Sequence, residues 1–552
     1  MPATEPSRLP LKARAMIKDF RMNRLAALLA LALLVAPSPP PMAQEPSHAG
    51  VAGEARPEQA RPEPGARPEG QGQRRPPERA ERKLPPDSVT QHVLELPGRT
   101  LRFAATAGSL PLVDPNGALQ AEIGVTSYVL HGADAATRPV TFALNGGPGA
   151  ASAYLHLLVL GPWRLPLDGP TISPSAPTSL VPNAETWLDF TDLVFVDPVD
   201  TGYSRAVGSG EEVRDRYFSI DGDVGTLSAV MARWLRQNNR LASPKFLVGE
   251  SYGGFRAPRI AHELQRGIGV GLNGIVMLSP VIDFGWFGQP RHSPWVHVLR
   301  LPSYVAAAQE AKGTVGRGTL AEAERYAASD YLVDLARGLQ DKDAVERVVA
   351  RVQALTGLDA EVVRRQAGRL DMGTVRRELT RARGRVVSAY DAGISGFDPD
   401  PTAPYSEHED PGLTGMTAPL TSAMVTHLWQ TLNWKVPDQR YNLLNGSVNG
   451  NWRWGRGRGS AESFSALRQA LALDGNLQAL VAHGFTDLVT PYFASELLLR
   501  QLPPNLADRA KLSVYPGGHM FYTRDGSRAA FRADAQAMFR AALEARQGEK
   551  AP

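Results

Sequence analysis

The sequence predicts an α/β protein with a mostly parallel sheet that carries helices on both faces. Short apolar runs typical of buried strands recur along the chain, at 139–144, 193–196, 246–248, 275–278, 477–482 and 511–514. Apolar residues at helical spacing mark helices between and after them, at 224–235, 255–266 and 529–545. Strands that alternate with helices in this way indicate parallel pairing with both faces covered. Three earlier runs lie at 91–96, 100–105 and 121–130, and the first two predict a hairpin.

The N-terminal part of the chain predicts export. An apolar run from Leu25 to Ala36 follows a cluster of basic residues and is too short to span a bilayer comfortably. With the small residue Ala43, it indicates a secretory signal peptide over residues 1–43. We therefore expect a periplasmic or secreted protein that meets the membrane only transiently, through this peptide. An uncleaved anchor, or a later start at Met16 or Met22, is the alternative.

Composition divides the remaining chain into four segments. Residues 44–87 are rich in Pro, Gly and Arg and have almost no large apolar side chains, which predicts a disordered linker. The α/β pattern occupies 88–283 and resumes over 437–547. Between these two parts, 284–436 shows helical patterns and no strand-like run. We expect a helical cap inserted over the active site, with an independent helical domain as the alternative.

Charge and cysteine content exclude several classes of protein. The chain has 552 residues and a net charge of +4, and it has no basic stripe interleaved with aromatic residues. Nucleic-acid binding is therefore not expected. The absence of cysteine rules out disulfides, a thiolate nucleophile and thiolate metal sites. The sequence also has no cluster with metal-ligand spacing and no phosphate-binding loop, so we predict neither a metal nor a cofactor.

Ser251 lies in a pattern typical of a nucleophile elbow. An apolar run leads into Gly249-Glu250-Ser251-Tyr252-Gly253, and a helical pattern follows. In the α/β-hydrolase fold, a sharp strand-to-helix turn lifts the serine hydroxyl above the sheet, and its crowded backbone requires small flanking residues. The sequence therefore predicts this fold, with Ser251 as the nucleophile. A glycine-rich turn that merely contains a serine is the simpler alternative.

Asp487 and His519 follow Ser251 in the chain order that this fold uses for its catalytic residues. Each lies in a loop just after a late predicted strand. A serine hydroxyl needs a base within hydrogen-bond reach, and His519 can take its proton and return it to the leaving group. Asp487 would hold the imidazole tautomer and stabilise the imidazolium. His483 is the rival base, but its place at a strand end close to Asp487 favours a structural or rim role.

A second glycine-rich turn, from Asn145 to Gly149, follows the predicted strand at 139–144. A tetrahedral intermediate carries an oxyanion that needs two preplaced donors. The main-chain N–H of Tyr252, directly after the nucleophile, supplies one donor, and Gly147 is the natural candidate for the other. A plain Gly-Pro turn would explain the glycines but not Asn145.

Four motifs in order resemble those of the serine carboxypeptidases. They are Asn145-Gly146-Gly147-Pro148-Gly149, the run from Phe195 to Ser204, Gly249-Glu250-Ser251-Tyr252-Gly253, and Gly518-His519-Met520. The resemblance implies the catalytic residues Ser251, Asp487 and His519, an oxyanion hole of Gly147 and Tyr252, and a site for the substrate's terminal carboxylate at Asn145 and Glu250. A carboxyl that binds a carboxylate must share a proton with it, because two like charges in contact do not both ionise cheaply. Such a site works best at acidic pH.

Three positions depart from the family's pattern. A second glutamate that hydrogen-bonds the first one normally precedes Leu-Gly-Pro, but Val159 stands there. We therefore expect a more ordinary pKa for Glu250 and a weaker preference for acid. The aspartate motif, usually Gly-Asp-x-Asp, reads Gly-Phe-Thr before Asp487, and Ala150 replaces the usual cysteine. These changes indicate a bacterial-type branch whose substrate could differ.

The function expected from these residues is that of a secreted serine carboxypeptidase. It would release C-terminal residues from peptides through an acyl-enzyme on Ser251. An esterase or acyltransferase that uses the same residues is the alternative, and Val159 would favour it. A non-catalytic binding protein on a retained fold is the third possibility, and it predicts that a fluorophosphonate does not label Ser251.

Overall fold

A computed structural model describes residues 84–548 apart from positions 168, 314 and 456–458. The predicted signal peptide and most of the predicted linker lie outside these residues. The strands, in chain order, are β1 (Ser88–Leu96), β2 (Arg99–Val113), β3 (Leu119–Leu130), β4 (Val140–Leu144), β5 (Trp163–Arg164), β6 (Val181–Pro182), β7 (Asp192–Val196), β8 (Arg205–Ala206), β9 (Lys245–Glu250), β10 (Gly274–Leu278), β11 (Arg385–Val387), β12 (Ser395–Phe397), β13 (Gln478–Gly484) and β14 (Ala510–Tyr515).

The α-helices, in chain order, are α1 (Ala153–Leu155), α2 (Glu211–Tyr217), α3 (Ile220–Gln237), α4 (Tyr252–Glu263), α5 (Phe284–Phe287), α6 (Pro294–Val298), α7 (Leu301–Glu310), α8 (Arg317–Tyr326), α9 (Leu332–Arg337), α10 (Lys342–Thr356), α11 (Ala360–Arg365), α12 (Met372–Glu378), α13 (Leu413–Thr426), α14 (Gly446–Gly450), α15 (Phe464–Leu473), α16 (Tyr492–Leu499), α17 (Pro504–Ala507) and α18 (Asp525–Gly548). Short π-helical turns continue several of them, at His156–Leu160, Leu264–Ile268, Ala327–Tyr331 and His427–Thr431. Single 3₁₀ turns lie at Trp187–Asp189, Arg381–Arg383 and Phe521–Thr523. No helix in the described ranges is long and apolar enough to cross a membrane.

One large sheet forms the core, in the order β1-β2-β3-β7-β4-β9-β10-β13-β14, and β8 pairs with β3. The strands from β7 to β14 in this order pair in parallel, whereas β1, β2 and β3 pair antiparallel with their neighbours. The predicted hairpin is confirmed as β1 and β2, and the mostly parallel sheet is confirmed as well. The serine turn follows the central strand β9, and helices cover the sheet, which is the α/β-hydrolase fold.

Both faces of the central parallel strands β4, β7, β9 and β10 are buried, as the continuous apolar runs predict. Successive residues of β9 point to opposite faces. Phe246 stacks on Phe539 of α18, with ring centroids 3.6 Å apart. Leu247 belongs to the other face, where Phe142 of β4 packs edge-on against Trp234 of α3. Each such side chain contributes about 1.5–3 kcal/mol of burial free energy, so the central strands are fixed firmly under the serine turn.

The block 284–436, which lies between β10 and β13, contains α5 to α13 and is largely helical. It also contains β11 and β12, an antiparallel pair that joins Val386 to Gly396. We predicted no strand in this block, and that prediction is wrong. Each strand has three residues, too few to show an alternating pattern. The limits 284–436 and the role of the block as a cap stay predictions.

Candidate active site

Ser251 occupies the turn between β9 and α4. Its φ and ψ angles are 59° and −120°, a conformation that residues other than glycine rarely adopt. Its main-chain N–H donates to the carbonyl oxygen of Leu278 on the adjacent strand β10, at 2.8 Å. Strained backbone of this kind persists only where the surrounding structure fixes it, and it occurs at active sites more than elsewhere.

The glycines on either side of Ser251 are required by close backbone contacts. A Cβ atom on Gly249 would lie 2.1 Å from the carbonyl oxygen of Gly253. A Cβ atom on Gly253 would lie 2.3 Å from the carbonyl oxygen of Leu144, at the end of β4. Both distances are far below van der Waals contact, so the predicted need for small residues at these two positions is confirmed.

Asp487 and His519 lie in the loops after β13 and β14, which are adjacent parallel strands. The His519 Nδ1 atom is 2.7 Å from Asp487 Oδ2, and both side chains are buried. The other carboxylate oxygen of Asp487 accepts hydrogen bonds from the main-chain N–H groups of Val489 and Thr490, each at 2.9 Å. These bonds hold the carboxylate at a fixed angle, so that it can accept from the imidazole Nδ1–H.

The electrostatic surroundings of His519 favour its protonated form. Burial lowers its pKa, but the charge of Asp487, the hydrogen bond to Asp487 and the charge of Glu250 together raise the pKa above the ordinary value. The Ser279 hydroxyl donates to the carbonyl oxygen of His519 and the main-chain N–H of Ser251 donates to that of Leu278, so the His519 loop and the serine turn both contact the end of β10. A base of this kind can accept a proton from a hydroxyl and keep it as a stabilised imidazolium.

Thr490 is a member of the site that sequence reasoning missed. Its hydroxyl donates to Asp487 Oδ2 at 2.6 Å and lies 3.0 Å from His519 Nδ1. The same hydroxyl lies 3.0 Å from the carbonyl oxygen of Ser279, whose own hydroxyl donates to the carbonyl oxygen of His519 at 2.8 Å. The signal in the sequence is weak, because an aspartate followed three residues later by a threonine is also an ordinary turn motif.

The contacts and the pKa of His483, the rival base, do not suit it to accept the proton of Ser251. It is fully buried on β13, and its Nε2 lies 2.8 Å from the hydroxyl of Ser495 on α16. Burial lowers its pKa to about 4, so it stays neutral at ordinary pH. The structural role is therefore favoured, and the rim location is wrong.

Glu250 forms a buried polar cluster with Asn145 and Tyr522. Its Oε2 atom accepts hydrogen bonds from Asn145 Nδ2 at 2.8 Å and from the Tyr522 hydroxyl at 2.6 Å. Burial raises the pKa of Glu250, and although His519 and these two bonds oppose the shift, the pKa stays above its ordinary value. The pKa is raised although Val159 stands where a second carboxyl would lie, because burial disfavours the ionised form. Whether it is more ordinary than in the family stays a prediction.

Two tyrosines of this cluster were not predicted. Tyr522 lies three residues after His519 in sequence and is fully buried. Tyr154, from α1, is also buried, and its hydroxyl has no hydrogen-bond partner among the described residues. Burial and the charge of Glu250 raise the pKa of Tyr154, which shows that the two groups are close. The hydrogen bonds to Glu250 therefore come from neutral donors, and His519 is the nearby group that can carry a positive charge.

The glycine-rich loop from Asn145 to Gly149 packs directly on the serine turn. A Cβ atom on Gly146 would lie 2.5 Å from the main-chain nitrogen of Tyr252. Gly147 has a φ of +99°, which favours glycine. Tyr252 is the first residue of α4, so its N–H has no acceptor within the helix. The two predicted oxyanion donors therefore lie on segments that touch.

Arg256, on α4, connects the loop from Asn145 to Gly149 with α3. Its guanidinium donates to the carbonyl oxygen of Asn145 at 3.0 Å and pairs with Asp223 of α3 at 2.9 Å. The same group lies over the ring of Tyr252, 4.8 Å from its centroid. All of these groups are buried, so the loop and the serine turn are held together by charge-assisted contacts.

Comparison with known proteins identifies the segment that carries the loop and the turn. The sequence profile of the serine carboxypeptidases matches residues 128–285, from β3 to the beginning of α5. The match covers less than one third of the 552 residues. It includes Asn145, Gly147, Glu250, Ser251 and Tyr252, and it ends well before the loops of the predicted acid and base.

Curated relatives match this chain over stretches of similar length. Serine carboxypeptidase-like 9 of Arabidopsis thaliana is 28% identical over 173 residues, which are 30% of this chain and 38% of that protein. The pheromone-processing carboxypeptidase KEX1 of Yarrowia lipolytica is 34% identical over 153 residues, which are 27% of this chain and 22% of that protein. The aligned region thus spans less than two fifths of each of these relatives.

Solved structures resemble the chain more distantly. A proline iminopeptidase of Mycobacterium smegmatis aligns with 80% of this chain and 99% of its own, at 14% identity and a TM-score of 0.35. A putative aryl esterase from Burkholderia cenocepacia aligns at 15% identity and the same TM-score, 0.35. Scores this low add nothing to the fold, which follows from the strand order and the serine turn.

An aromatic cluster borders the serine turn. The ring of Tyr252 packs edge-on against Trp452 and Trp454, at 5.4 and 5.7 Å between ring centroids. Trp452 is buried, whereas Trp454 is 39% exposed and contacts the ring of Phe284 at 4.4 Å. The sequence left open whether these tryptophans pack or form a subsite. Trp452 is a packing residue, and Trp454 presents an aromatic edge to solvent beside the turn.

Among residues 84–548, leaving aside the five positions not described, no group of three or more His, Asp or Glu side chains is arranged to hold a metal ion.

Proposed function

We propose that this protein is a serine-type carboxypeptidase that removes C-terminal residues from peptides through an acyl-enzyme on Ser251. The observation that carries the proposal is the joint placement of two devices at one turn. The buried Asp487–His519 pair and the strained serine turn both contact the end of β10, through Ser279 and Leu278, and the protonatable Glu250 directly precedes the serine. One device can activate a hydroxyl, and the other can recognise a carboxylate.

The acylation step assigns one role to each group. The Ser251 hydroxyl attacks the scissile carbonyl carbon while His519 takes the hydroxyl proton at Nε2. Asp487 accepts the Nδ1–H bond and stabilises the imidazolium. The main-chain N–H groups of Gly147 and Tyr252 bind the oxyanion of the tetrahedral intermediate. His519 then gives its proton to the leaving amine, the carbon–nitrogen bond breaks, and the shortened peptide remains as an ester on Ser251.

Deacylation repeats these roles with water. His519 takes a proton from a water molecule, whose oxygen attacks the ester carbonyl. Collapse of the second intermediate returns the proton to the oxygen of Ser251 and releases the shortened peptide with a new carboxylate. No redox step occurs, so the scheme needs no cofactor.

The substrate's terminal carboxylate would bind at Glu250 and Asn145. A protonated Glu250 donates one hydrogen bond to it, and the amide of Asn145 donates another. The raised pKa of Glu250 supports this role because it keeps the carboxyl protonated over a wider pH range. The unpartnered hydroxyl of Tyr154 offers a further donor next to Glu250.

The same scheme with an ester in place of the peptide bond gives the esterase or acyltransferase that the sequence left open. The feature that favours it is Val159, which stands where a second glutamate would pair with Glu250. Peptide and ester chemistry would use the same serine, so the substrate must decide between them. Export to the periplasm or medium, and the placement of 284–436 as a cap, are further parts of the proposal and rest on the sequence.

The test is mass spectrometry of an N-terminally blocked peptide incubated with the purified protein. Stepwise loss of C-terminal residues from the free acid, and little loss from the C-terminal amide, is the expected result. Ser251→Ala abolishes it. Ester hydrolysis without trimming of the peptide would replace the carboxypeptidase with the esterase.

A pair of histidine variants tests the assignment of the base. His519→Gln should abolish trimming and the labelling of Ser251 by a fluorophosphonate. His483→Gln, at the end of the adjacent strand, should leave both rates within about twofold, because its imidazole is neutral and bonded to Ser495. Loss of labelling in the His483 variant alone would exchange the two roles.

A further inference from the structure

The loop that joins β11 to β12 reaches out of the block between β10 and β13 and contacts both catalytic loops. Residues 389–393 form its tip, which we call the dyad clamp because it contacts the loops that carry the Asp487–His519 pair. Ser388 starts the loop, and its main-chain N–H donates to the carbonyl oxygen of Ile394 at 2.8 Å. The carboxylate of Asp410 holds the loop from behind, because it accepts from the Ser388 hydroxyl at 2.6 Å and from the main-chain N–H of Ala389 at 2.7 Å.

The dyad clamp binds the loop that carries Asp487 on both sides of that residue. The main-chain N–H of Leu488 donates to the carbonyl oxygen of Ala389 at 3.0 Å. The main-chain N–H of Ala392 donates to the carbonyl oxygen of Thr486 at 3.2 Å. Because these bonds involve the residues immediately before and after Asp487, they fix the position of its Cα atom.

The dyad clamp also binds the loop that carries His519. The main-chain N–H of His519 itself donates to the carbonyl oxygen of Tyr390 at 2.5 Å. The ring of Tyr390 packs edge-on against the imidazole, with centroids 5.3 Å apart and planes at 88°. A Cβ atom on Gly518 would lie 2.1 Å from the Tyr390 carbonyl oxygen, so this position requires glycine. The clamp therefore touches the imidazole as well as its main chain.

One carboxylate within the clamp connects the two loops. Asp391, only 5% exposed, accepts a hydrogen bond from the hydroxyl of Thr486 at 2.8 Å on the aspartate side. On the histidine side, it accepts from the guanidinium of Arg524 at 3.0 and 3.1 Å. Arg524 lies on the turn after His519 and also pairs with Glu310 of α7 at 2.6 Å. Removing the carboxylate would leave a buried hydroxyl and a charged group short of one partner each.

From these contacts we infer that Asp391 is a positioning residue for the Asp487–His519 pair, and that the dyad clamp sets the relative position of the two catalytic loops. This inference rests on the proposed function. Direct contacts between the two loops also exist, such as the bond from the Thr486 main-chain N–H to the Gly517 carbonyl oxygen at 2.9 Å. That bond reaches only Gly517 on the histidine side, whereas the clamp bonds to the main chain of His519 itself.

The inference gives the segment between β10 and β13 a role besides any contact with substrate. A hydrogen bond between carboxylate and imidazole tolerates little displacement, and a shift of about 1 Å at a catalytic group can lower a rate about 100-fold. Asp391 acts through Asp487 and His519 and needs no contact with substrate. Its loss should therefore lower kcat and leave KM nearly unchanged.

The decisive experiment compares Asp391→Ala with Asp398→Ala. Asp398 lies just after β12, is 6% exposed, and accepts from Arg377 at 2.8 Å and from the main-chain N–H of Asp400 at 2.9 Å. It therefore matches Asp391 in burial and in kind of partner, but these partners all belong to the inserted block. Both variants should lower the unfolding free energy. Only Asp391→Ala should lower kcat for peptide trimming, by about 10- to 100-fold, with KM within twofold.

A spectroscopic measurement separates positioning from general damage. The Nδ1 proton of His519, hydrogen-bonded to Asp487, should give a proton resonance far downfield in the NMR spectrum of the wild-type protein. Asp391→Ala should broaden or shift that resonance, and Asp398→Ala should leave it in place. Thr486→Val, which removes one hydroxyl and keeps the side-chain shape, should lower kcat about fivefold and remains available if Asp391→Ala does not fold.

The outcomes distinguish the two proposals. If the wild-type protein trims peptides while Asp391→Ala and Thr486→Val keep its kcat and resonance, the clamp has no positioning role. Equal kcat losses in the Asp391 and Asp398 variants would also overturn the inference, because both would then report general destabilisation. If the wild-type protein neither trims peptides nor is labelled by a fluorophosphonate, the proposed function fails. The resonance still tests the clamp in that case, because it needs no activity.

Discussion

Replacing Tyr522 with phenylalanine would remove one of the two neutral donors on Glu250. The Tyr522 hydroxyl lies 2.6 Å from Glu250 Oε2, and Asn145 Nδ2 lies 2.8 Å from the same atom. All three side chains are buried, so water does not replace a lost donor easily. The ionised form of Glu250 loses a hydrogen bond in Tyr522→Phe, and the pKa of Glu250 should therefore rise further above its ordinary value.

The size of this shift follows from the strength of the bond. A hydrogen bond to a charged group contributes about 1.5–3 kcal/mol net in proteins. One pKa unit corresponds to about 1.4 kcal/mol. The pKa of Glu250 should therefore rise by about 1 to 2 units in Tyr522→Phe.

The assay is the pH dependence of kcat/KM for a blocked peptide as the free acid and as its C-terminal amide. Only the free acid needs a protonated Glu250, so its rate should fall as pH rises through the Glu250 pKa. This alkaline limb should move up by about 1 to 2 units in Tyr522→Phe, and the profile of the amide should not move.

A matched variant controls for the loss of a buried tyrosine hydroxyl. Tyr515→Phe removes a hydroxyl that bonds the carboxylate of Asp534 at 2.5 Å, away from Glu250. Tyr515→Phe should leave the pH profiles of both the free acid and the amide unchanged. An alkaline limb that stays fixed or moves down in Tyr522→Phe would refute the reasoning, as would an equal shift for the amide.

Three other changes have expected outcomes. Gly253→Ala places a Cβ atom 2.3 Å from a carbonyl oxygen of β4, so fluorophosphonate labelling should slow at least about tenfold; labelling at the wild-type rate would contradict the steric argument. Arg256→Met leaves the buried Asp223 carboxylate without its cation, so urea unfolding at pH 8 should show a free energy of unfolding about 3–5 kcal/mol below that of the wild type. The difference should be smaller at pH 5, because burial raises the Asp223 pKa to about 6 and the carboxyl is then mostly protonated. Burial lowers the pKa of His427 to about 3 and lowers that of His156 as well, so native protein binds fewer protons than unfolded protein from pH 6.5 downwards. As the pH falls below 6.5, the free energy of unfolding should decrease by about 1.4 kcal/mol per pH unit for each histidine. If the difference in this free energy between wild type and His427→Phe does not vary with pH, the effect is absent.

The parts of the site that the sequence predicts depend on short-range sterics. Gly249 and Gly253 flank the serine within two residues, and their close contacts lie within the elbow or against the neighbouring strand β4. The elbow pattern therefore implies both the backbone conformation and the fold. The order of Ser251, Asp487 and His519 adds the late strands, because their loops emerge at the same edge of a parallel sheet.

The parts that sequence reasoning missed depend on contacts between distant segments. Tyr522 reaches Glu250 across 272 positions of the chain, and no local pattern marks it as a partner. The pKa of Glu250 follows from burial, which is a property of the whole fold. Asp391 lies on a seven-residue loop between strands that are too short to predict. Its importance arises only where two later loops pack against it.

In the proposed mechanism, the raised pKa values of His519 and Glu250 would restrict activity from both sides of the pH scale. His519 must be neutral to act as a base, and because its pKa is raised, the neutral form predominates only at higher pH. Glu250 must be protonated to bind a carboxylate, and its raised pKa keeps it protonated up to a higher pH. Both shifts move in the same direction, so the window for free-acid peptides moves towards neutral pH. The buried His156 and His427 oppose operation in strong acid, because protonating them favours unfolding. In the proposed mechanism the amide should therefore stay active to higher pH than the free acid, because only the free acid needs a protonated Glu250.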